Sequence, residues 1–496
     1  MTSWTLFSSG TVVDGTGSPP VSNTSILVQG NLIHSVGPDL HESALRDGVI
    51  PRGDSLQVID AANKTVMPGL IDAHAHPAFG EGLSQEAQDL YTSVELRTLR
   101  SAWNAKAILR AGVTSVSQPG SCYYIGVGLR QGVEEGIVEG PRFFTAGREI
   151  STSNGLTDFY PDAVGVPEGS IGVLANTPDE MRTEVRRQIK AGVDLIKMAD
   201  SPFGDFQAFT DDEMKLMVDL THQLKRKVTI HARGNEETRA AVRAGVDWVM
   251  HANIMDDETI DEVAQSGTMI IPVLTLLANW ADFGQYCGTP VELQDSAREM
   301  CEKSADTYHR AKAAGVRFGF GSEAGFGITP CGEWHGRELE LLMDYAGLSS
   351  LEAIHAGTQS VAEMVGLEGQ VGTIAPGMLA DIIVVDGDPV EDITVLQRRE
   401  RIVTVMKDGR VIDFGDDERT LHPYEPDQRF QSSLLMYDTV YGDPERQPTL
   451  EPLPSNREEG ATLADDLRRR ERGAAVPIDE DDDAKAIANR TSARPN

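Results

Sequence analysis

The sequence is poor in cysteine, in basic residues and in long apolar runs. Its four cysteines, Cys122, Cys287, Cys301 and Cys331, form no CxxC pair, which argues against a disulfide scaffold and predicts a reducing compartment. Lys and Arg number 44 against 77 acidic residues, and a net charge of -33 makes nucleic acid and anionic membranes poor partners. No apolar run reaches the roughly 20 residues of a membrane span, and the N-terminal residues lack the pattern of a signal peptide. We therefore expect a strongly solvated, cytoplasmic protein.

Both ends of the body carry short β-like runs one after another, whereas its middle alternates such runs with helical segments. The 496 residues, 40% of them hydrophobic, suffice for a large core and more than one domain. The β-like runs in 1–65 and 368–415 are each too few to enclose much core. They predict one β-sandwich lobe assembled from both chain ends, and two independent small β lobes are the alternative.

The segment 416–496 departs from this pattern. It contains Pro-rich pieces, the basic cluster Arg468–Arg472 and the acidic run Asp479–Asp483. Such composition predicts an extended arm with a disordered acidic end. Only the part around Phe430–Tyr441 is apolar enough to dock on the body or on a neighbouring subunit, and we expect a homo-oligomer.

Residues 66–367 alternate β-like runs with amphipathic helical segments such as Pro178–Ala191. Eight runs are separated in this way: Gly69–His76, Val113–Gln118, Arg142–Ala146, Leu195–Ala199, Lys227–Ala232, Trp248–Ala252, Thr268–Leu274 and Arg317–Ser322. The tripeptide Ala-Gly-Val recurs before several of them, where glycine ends a helix. Eight strands alternating with helices predict an α/β fold of the (β/α)8 TIM barrel type.

The first run ends in two histidines, His74 and His76, one residue apart. Residues i and i+2 of a strand point to the same face, so these imidazoles project together. Two imidazoles on one face can begin a metal site. Alone this is weak evidence, because a short strand with two surface histidines gives the same pattern.

Further ligand types end other runs: Lys197, His231, His251 and, after the eighth run, Glu323. In a parallel barrel the active site lies at the carboxyl ends of the strands. A single strand-end histidine is more often structural, and a lysine usually extends to water. Lys197, however, lies within the apolar stretch LIKMA, where a buried charge would cost several kcal/mol unless removed or paired. Carboxylation of this amine by CO2 would make it an anionic bridging ligand, and the six residues together predict a metal site.

The motifs resemble those of the amidohydrolase superfamily, in particular its imidazolonepropionase-like and Xaa-Pro dipeptidase-like members. The matching stretches are PGLIDAHAH, IKM, TIHA, VMHA, the acid after strand eight, VGTIAPGMLADIIVVDGDPVEDI and VMKDGRVI. They extend over residues 1–413. The resemblance implies a (β/α)8 barrel with a β-sandwich lobe and one or two divalent metal ions.

The resemblance also assigns roles to the candidate ligands. It implies that His74 and His76 bind the more buried metal, that carboxylated Lys197 bridges two metals, and that His231 and His251 bind the more exposed one. The acid after strand eight would bind metal and shuttle protons. Glu323 and His251 are thus the expected catalytic residues.

The chemistry that follows is hydrolysis of a C–N bond in an amide-like small molecule: an amide, carbamate, urea, lactam or dipeptide. A metal-bound hydroxide is the nucleophile, and the acid passes its proton to the leaving nitrogen. Mixed nitrogen and oxygen ligands suit zinc first, with cobalt and manganese as alternatives.

Two positions depart from the family pattern. After strand eight the family pattern resembles Gly-Thr-Asp-Ala-Gly, whereas this chain has Gly321-Ser322-Glu323-Ala324-Gly325. The extra methylene of glutamate places its carboxylate about an ångström further out, and such a shift can cost ~100-fold in rate. Glu323 either works in an adapted site, binds one metal only, or marks an impaired enzyme. Leu156 stands where relatives often carry a histidine after strand three, which favours a more apolar pocket and a substrate like those of molinate and phenylurea hydrolases.

Weaker candidates for substrate contacts are Arg233, Tyr160, Gln118 and His335. They follow strands five, three, two and eight, and surface roles are about as common for such residues. Two alternative functions stay open. A mononuclear deaminase would need no lysine on strand four, and a non-catalytic relative would explain Glu323.

Overall fold

The computed structural model describes residues 3–40, 49–51, 54–79, 85–415 and 435–441. Its strands are β1 (Trp4–Val12), β2 (Val21–Gln29), β3 (Leu32–Gly37), β4 (Leu56–Asp60), β5 (Thr65–Pro68), β6 (Leu70–Asp72), β7 (Val113–Gln118), β8 (Arg142–Thr145), β9 (Glu149–Ser151), β10 (Gly172–Leu174), β11 (Leu195–Ala199), β12 (Lys227–Ala232), β13 (Trp248–His251), β14 (Met269–Ile271), β15 (Ile382–Val385), β16 (Ile402–Lys407) and β17 (Arg410–Val411).

Helices separate most of the central strands. They are α1 (Val94–Arg110), α2 (Ile125–Glu134), α3 (Pro178–Ala191), α4 (Asp211–Gln223), α5 (Asn235–Ala244), α6 (Asp257–Ser266), α7 (Thr275–Phe283), α8 (Val291–Ala313), α9 (Arg337–Ala346), α10 (Ser350–Ala356) and α11 (Tyr437–Tyr441). Shorter helical turns cover Ala87–Tyr91, Gly284–Cys287, Gln359–Val365, Ile393–Gln397 and Arg399–Arg401. No helix in the described ranges is long and apolar enough to cross a membrane.

Strands from both chain ends pair in one mixed sheet, which we call the composite sheet. Its order is β17-β16-β15-β5-β1-β2-β3, with β4 beside β1. The strands before the central region meet those after it where β15 pairs antiparallel with β5. In this pairing Ile382 lies opposite Pro68 and Val385 opposite Thr65. β3 is an edge strand several positions away from β15 in this order, yet Ile33 of β3 packs in the same apolar cluster as Ile382 of β15. This packing indicates that the sheet is curved. A composite β unit, as the sequence predicted, is therefore present.

The middle of the chain forms two parallel sheets, one of order β10-β9-β11-β12-β13-β14 and one of order β6-β7-β8. Six of the eight predicted runs appear as β7, β8, β11, β12, β13 and β14, with boundaries within a few residues. Their side chains are almost all buried, as expected for parallel strands covered on both faces. The first run, Gly69–His76, forms a strand only over Leu70–Asp72 (β6), and the preceding Thr65–Pro68 belongs to the composite sheet as β5.

The predicted eighth strand, Arg317–Ser322, is irregular. It touches both parallel sheets through a few backbone hydrogen bonds. The Ile270 amide donates to the Arg317 carbonyl (3.0 Å) and the Gly319 amide to the Ile270 carbonyl (2.9 Å), while the Ala73 amide, just after β6, donates to the Phe320 carbonyl (2.9 Å). No regular ladder develops, because the carboxylate of Asp72 accepts the Ser322 amide hydrogen in place of a strand carbonyl. The sequence also missed the short pair β9 and β10.

The glycines of the repeated Ala-Gly-Val pieces end helices as predicted. Gly192 after α3 and Gly245 after α5 have φ of +99° and +91°, a left-handed conformation that suits glycine. The N-terminus of α4 is fixed by a reciprocal capping pair between Thr210 and Glu213. These signals explain why helix boundaries could be read closely from the sequence.

The predicted arm 416–496 lies mostly outside the described residues. Within 435–441, Leu435 is fully buried and its carbonyl accepts a hydrogen bond from the Trp334 indole. Tyr437 and Tyr441 pack against the same ring. This part of the segment docks on the body of its own chain.

An ion cluster joins the composite sheet to the parallel sheets. Arg142 of β8 binds both carboxylate oxygens of Asp381, next to β15, and also reaches Asp408. The Asp381 side chain is 1% exposed, so its charge depends on this arginine and on the Asp408 amide. Removing one partner of a buried pair leaves an uncompensated charge.

Replacing Arg142 with Met should therefore lower the free energy of unfolding by about 3–5 kcal/mol, measured by chemical denaturation. The matched control is Arg410→Met, since Arg410 is exposed and pairs with Glu139 at the surface. That change should cost no more than about 1 kcal/mol. Equal effects of the two substitutions would contradict the proposed role of the cluster.

Candidate metal centre

Three predicted ligands converge after β6 and after the irregular eighth segment. Ligand atoms of His74, His76 and Glu323 all lie within 4.8 Å of one another, and all three residues are buried. The two histidine Nε2 atoms are 2.9 Å apart, and His74 Nε2 is 3.8 Å from Glu323 Oε1. The alternation of His74 and His76 along the chain brings both rings to one face, as the sequence predicted.

His231 in β12 and His251 at the end of β13 extend this group. Their ring centroids are 4.3 Å apart, and the His251 ring lies 5.6 Å from that of His74. His231 Nε2 and both ring nitrogens of His251 are buried without a hydrogen-bond partner among the described residues. Buried polar atoms of this kind normally have a partner, so they point to a missing one.

The histidines have the electronic state that a cation requires. Burial lowers the pKa of His76 to about 4 and those of His74, His231 and His251 well below the usual range, so the rings are neutral near pH 7. His76 Nδ1 lies 3.1 Å from the Gly120 carbonyl, which fixes the proton on Nδ1 and leaves the Nε2 lone pair free. Four neutral imidazoles and a carboxylate with an unpartnered oxygen fit a divalent metal ion.

Lys197 lies inside β11 and is 1% exposed. Its amine makes no hydrogen bond or ion pair at contact distance with the described residues. Burial lowers the pKa of Lys197, and attraction to Glu149 and Glu323 opposes this shift. Glu149, at the start of β9, is 4% exposed, and burial raises its pKa against the attraction of Lys197.

The backbone around Glu323 is unusual. Glu323 has φ of +54°, and its amide donates to the His74 carbonyl at 2.7 Å. The Thr329 hydroxyl donates to the Glu323 carbonyl at 2.8 Å. Gly325 follows with φ of +136°, and a Cβ there would lie 2.3 Å from the His76 carbonyl oxygen. Such conformations are costly for ordinary residues and cluster at functional sites.

A buried carboxylate, Asp72, ties the two halves of the candidate centre together. It accepts the His74 amide hydrogen (2.9 Å) on one side, and the Ser322 amide hydrogen (3.1 Å) and hydroxyl hydrogen (2.5 Å) on the other. His335 Nδ1 donates to it at 2.7 Å, while the other ring nitrogen accepts from the Gly332 amide. We call Asp72, Ser322 and His335 the Asp72 clamp.

The centre opens into a cavity of about 1060 Å³. Arg233 and Tyr160 line it as expected for substrate contacts, and so do Leu156 and Glu149. Tyr160 donates to the Asp89 carboxylate at 3.0 Å, which fixes its hydroxyl.

The other two candidate substrate residues lie elsewhere. His335 is not among the lining residues, because both of its ring nitrogens are engaged in the Asp72 clamp. Gln118 is also absent from the lining; its amide points to the Gly120 carbonyl at 3.4 Å, behind His76.

Two site residues escaped sequence reasoning. Asp72 precedes His74 by two residues, so the same alternation that joins the histidines could have identified it. Glu149 gave no comparable signal, because the strand that carries it is only three residues long.

A sequence model of the amidohydrolase family matches residues 65–412. Curated relatives include an ochratoxinase from Aspergillus niger, 25% identical over 454 residues, with 84% of this chain and 89% of the relative covered. An imidazolonepropionase from Rubrobacter xylanophilus is 25% identical over 423 residues, covering 79% of this chain and 92% of the relative.

Among solved structures, a Xaa-Pro dipeptidase with methionine bound in its active site superposes with a TM-score of 0.71. It is 28% identical, and the match covers 83% of this chain and all of that one. The family match extends over well over half of the chain and includes every candidate ligand. The chain therefore belongs to the amidohydrolase family.

Proposed function

We propose that this protein is a metal-dependent hydrolase that cleaves a C–N bond of an amide-like small molecule. The family and the named relatives support C–N bond hydrolysis in general. The single observation that carries the metal dependence is a buried cluster without internal partners. His231 Nε2, both His251 ring nitrogens and Glu323 Oε2 lack hydrogen-bond partners among the described residues, and Glu323 converges with His74 and His76.

We further propose that the two parallel sheets and the segment 317–324 form one (β/α)8 barrel, and that the curved composite sheet is a β-sandwich lobe. Backbone hydrogen bonds between segment 317–324 and residues in or next to both sheets support the barrel. In this proposal the lobe consists of 1–65 and 368–415, the barrel of 66–367, and an arm of 416–496. A cytoplasmic location and a homo-oligomer remain predictions.

His74, His76 and Glu323 would hold one divalent ion, zinc by preference, with cobalt or manganese as alternatives. His231 and His251 would hold a second, and Lys197 carboxylated by CO2 would bridge the two. The unpartnered amine of Lys197 within the same cavity supports this assignment. When bound, divalent ions supply a Lewis acid that acidifies water and polarises the substrate carbonyl.

The chain's own residues would do the rest. Glu323 Oε2 lacks a partner, so it can take the proton of the attacking water and hand it to the leaving nitrogen. His251, both of whose ring nitrogens lack a hydrogen-bond partner among the described residues, would be the second catalytic residue. Burial of the whole group keeps bulk water away from the exchange.

The first experiment measures metal content and intact mass on protein purified without added metal. We expect two divalent ions per chain and a mass increase of one CO2 located at Lys197. Substituting His231 with Gln should remove one ion, whereas the control His222→Gln should remove none, because His222 pairs with Asp247 at the surface. One ion with an unmodified lysine would favour the deaminase alternative, and no ion after reconstitution would refute the metal site.

Two substitutions at Glu323 test its role. Glu323→Gln should lower kcat by about 10²–10⁴-fold, because a proton carrier is lost. Glu323→Asp should lower kcat by about 10–100-fold, since the shorter side chain withdraws from a site adapted to glutamate. Higher activity of the Asp variant on an amide, carbamate and urea panel would instead identify the natural chain as impaired.

The Asp72 clamp can be tested without turnover. Asp72→Asn keeps the shape but removes the charge, so metal affinity should fall about 10–100-fold in competition with a chelator. Asp60→Asn, in an exposed position on β4, is the control and should leave affinity unchanged. Unchanged affinity in Asp72→Asn, with far-ultraviolet circular dichroism intact, would show that the clamp does not position the ligands.

A further inference from the structure

Arg233 is a buried cation without a counter-ion. The residue is 6% exposed and lines the cavity of the candidate metal centre. No carboxylate of the described residues lies within ion-pair distance, and its one side-chain hydrogen bond runs from Nη1 to Asn253 Oδ1 (2.8 Å). Its other guanidinium N–H groups bond to no described residue. A buried charge in this state requires a partner from elsewhere.

The guanidinium is held in a fixed orientation. Asn253 itself donates to the Ser304 hydroxyl (2.8 Å) and the Tyr308 hydroxyl (3.1 Å), both on α8. Tyr308 in turn donates to the His251 carbonyl at 2.7 Å. The amide of Arg233 donates to the Glu237 carboxylate, which fixes the backbone. One Nη group of the guanidinium is therefore engaged by Asn253, and the residue lines the cavity with its other donors not bonded to any described residue.

The position of Arg233 relates it to the reacting bond. Arg233 follows His231 by two residues at the end of β12. In the register of β11 and β12, Lys197 lies opposite Thr229, four residues before Arg233, and both residues line the same cavity. Glu323 is the carboxylate whose field acts on it most strongly, although the two are too far apart to pair.

We propose that Arg233 binds a carboxylate that the substrate carries close to the scissile C–N bond. This inference rests on the proposed function and makes the substrate an N-acyl amino acid or a dipeptide rather than a neutral carbamate or urea. Planar bidentate recognition of a carboxylate is what a guanidinium provides best. Apolar side chains of Leu156, Leu276 and Phe326 line the same cavity and suit an apolar acyl group.

A purely electrostatic role for Arg233 makes a different prediction. If the guanidinium only balanced the charge of Glu323, its loss would slow every substrate equally. A binding role demands that the loss matter only for substrates that carry the carboxylate. A matched pair of ligands that differ in this one group therefore separates the two roles.

The experiment compares N-benzoyl-phenylalanine with its carboxamide, N-benzoyl-phenylalaninamide, on the metal-loaded protein. For the natural chain, kcat/KM for benzoate release should be about 100-fold or more higher with the carboxylate. In Arg233→Gln this preference should fall to within about tenfold, with metal content unchanged. Lys303→Gln is the control, since Lys303 is another cation that lines the cavity, and it should keep the full preference.

Binding is measured in parallel by calorimetry in the Glu323→Gln background, where turnover is suppressed. Preference for the carboxylate that disappears on adding Arg233→Gln would support the inference even without turnover. Equal binding of the two ligands, binding of neither, or an unchanged preference in Arg233→Gln would overturn it. Failure of the natural protein on every amide, carbamate and urea would refute the hydrolase function instead, and leaves the binding comparison valid.

Discussion

The buried carboxylate of Asp72 is the interaction on which the candidate centre depends. It accepts hydrogen bonds from the backbone of His74, just after β6, and of Ser322, just before Glu323, and Ser322 lies 250 residues from Asp72 in the chain. A buried carboxylate must keep such donors, so the two segments cannot move apart without exposing an unsatisfied charge. His74 and Glu323 are thus held facing each other by a residue that binds no ligand itself.

The cavity concentrates charges that are expensive to bury. Glu149, Glu323, Lys197 and Arg233 are all less than 8% exposed, yet no two of them form a contact ion pair. Folding stability alone does not explain this arrangement, because the desolvation of each charged group is unfavourable in free energy. A cation between the histidines and an anionic ligand at Arg233 would supply the missing partners.

The sequence predicted best what depends on periodic burial. The strands Val113–Gln118, Leu195–Ala199 and Lys227–Ala232, which are almost entirely buried, were identified to the residue. The prediction of a regular strand over 317–322 was wrong, because hydrogen bonds to the Asp72 side chain replace part of its strand pairing. No local sequence pattern indicates a partner so far away in the chain. The prediction that His335 contacts substrate failed for the same reason, because its burial against Asp72 depends on a residue that is distant in the sequence.

Glu323 shows how a longer side chain fits without displacing the backbone. Its amide and carbonyl are fixed by His74 and Thr329, so the extra methylene cannot be absorbed by a retreat of the chain. Instead the side chain remains within reach of both histidines, and Oε1 lies 3.8 Å from His74 Nε2. An impaired site would have little reason to preserve this convergence, the left-handed backbone at Glu323 and the unpartnered histidines together. These features support our proposal that Glu323 does the work of the usual acid.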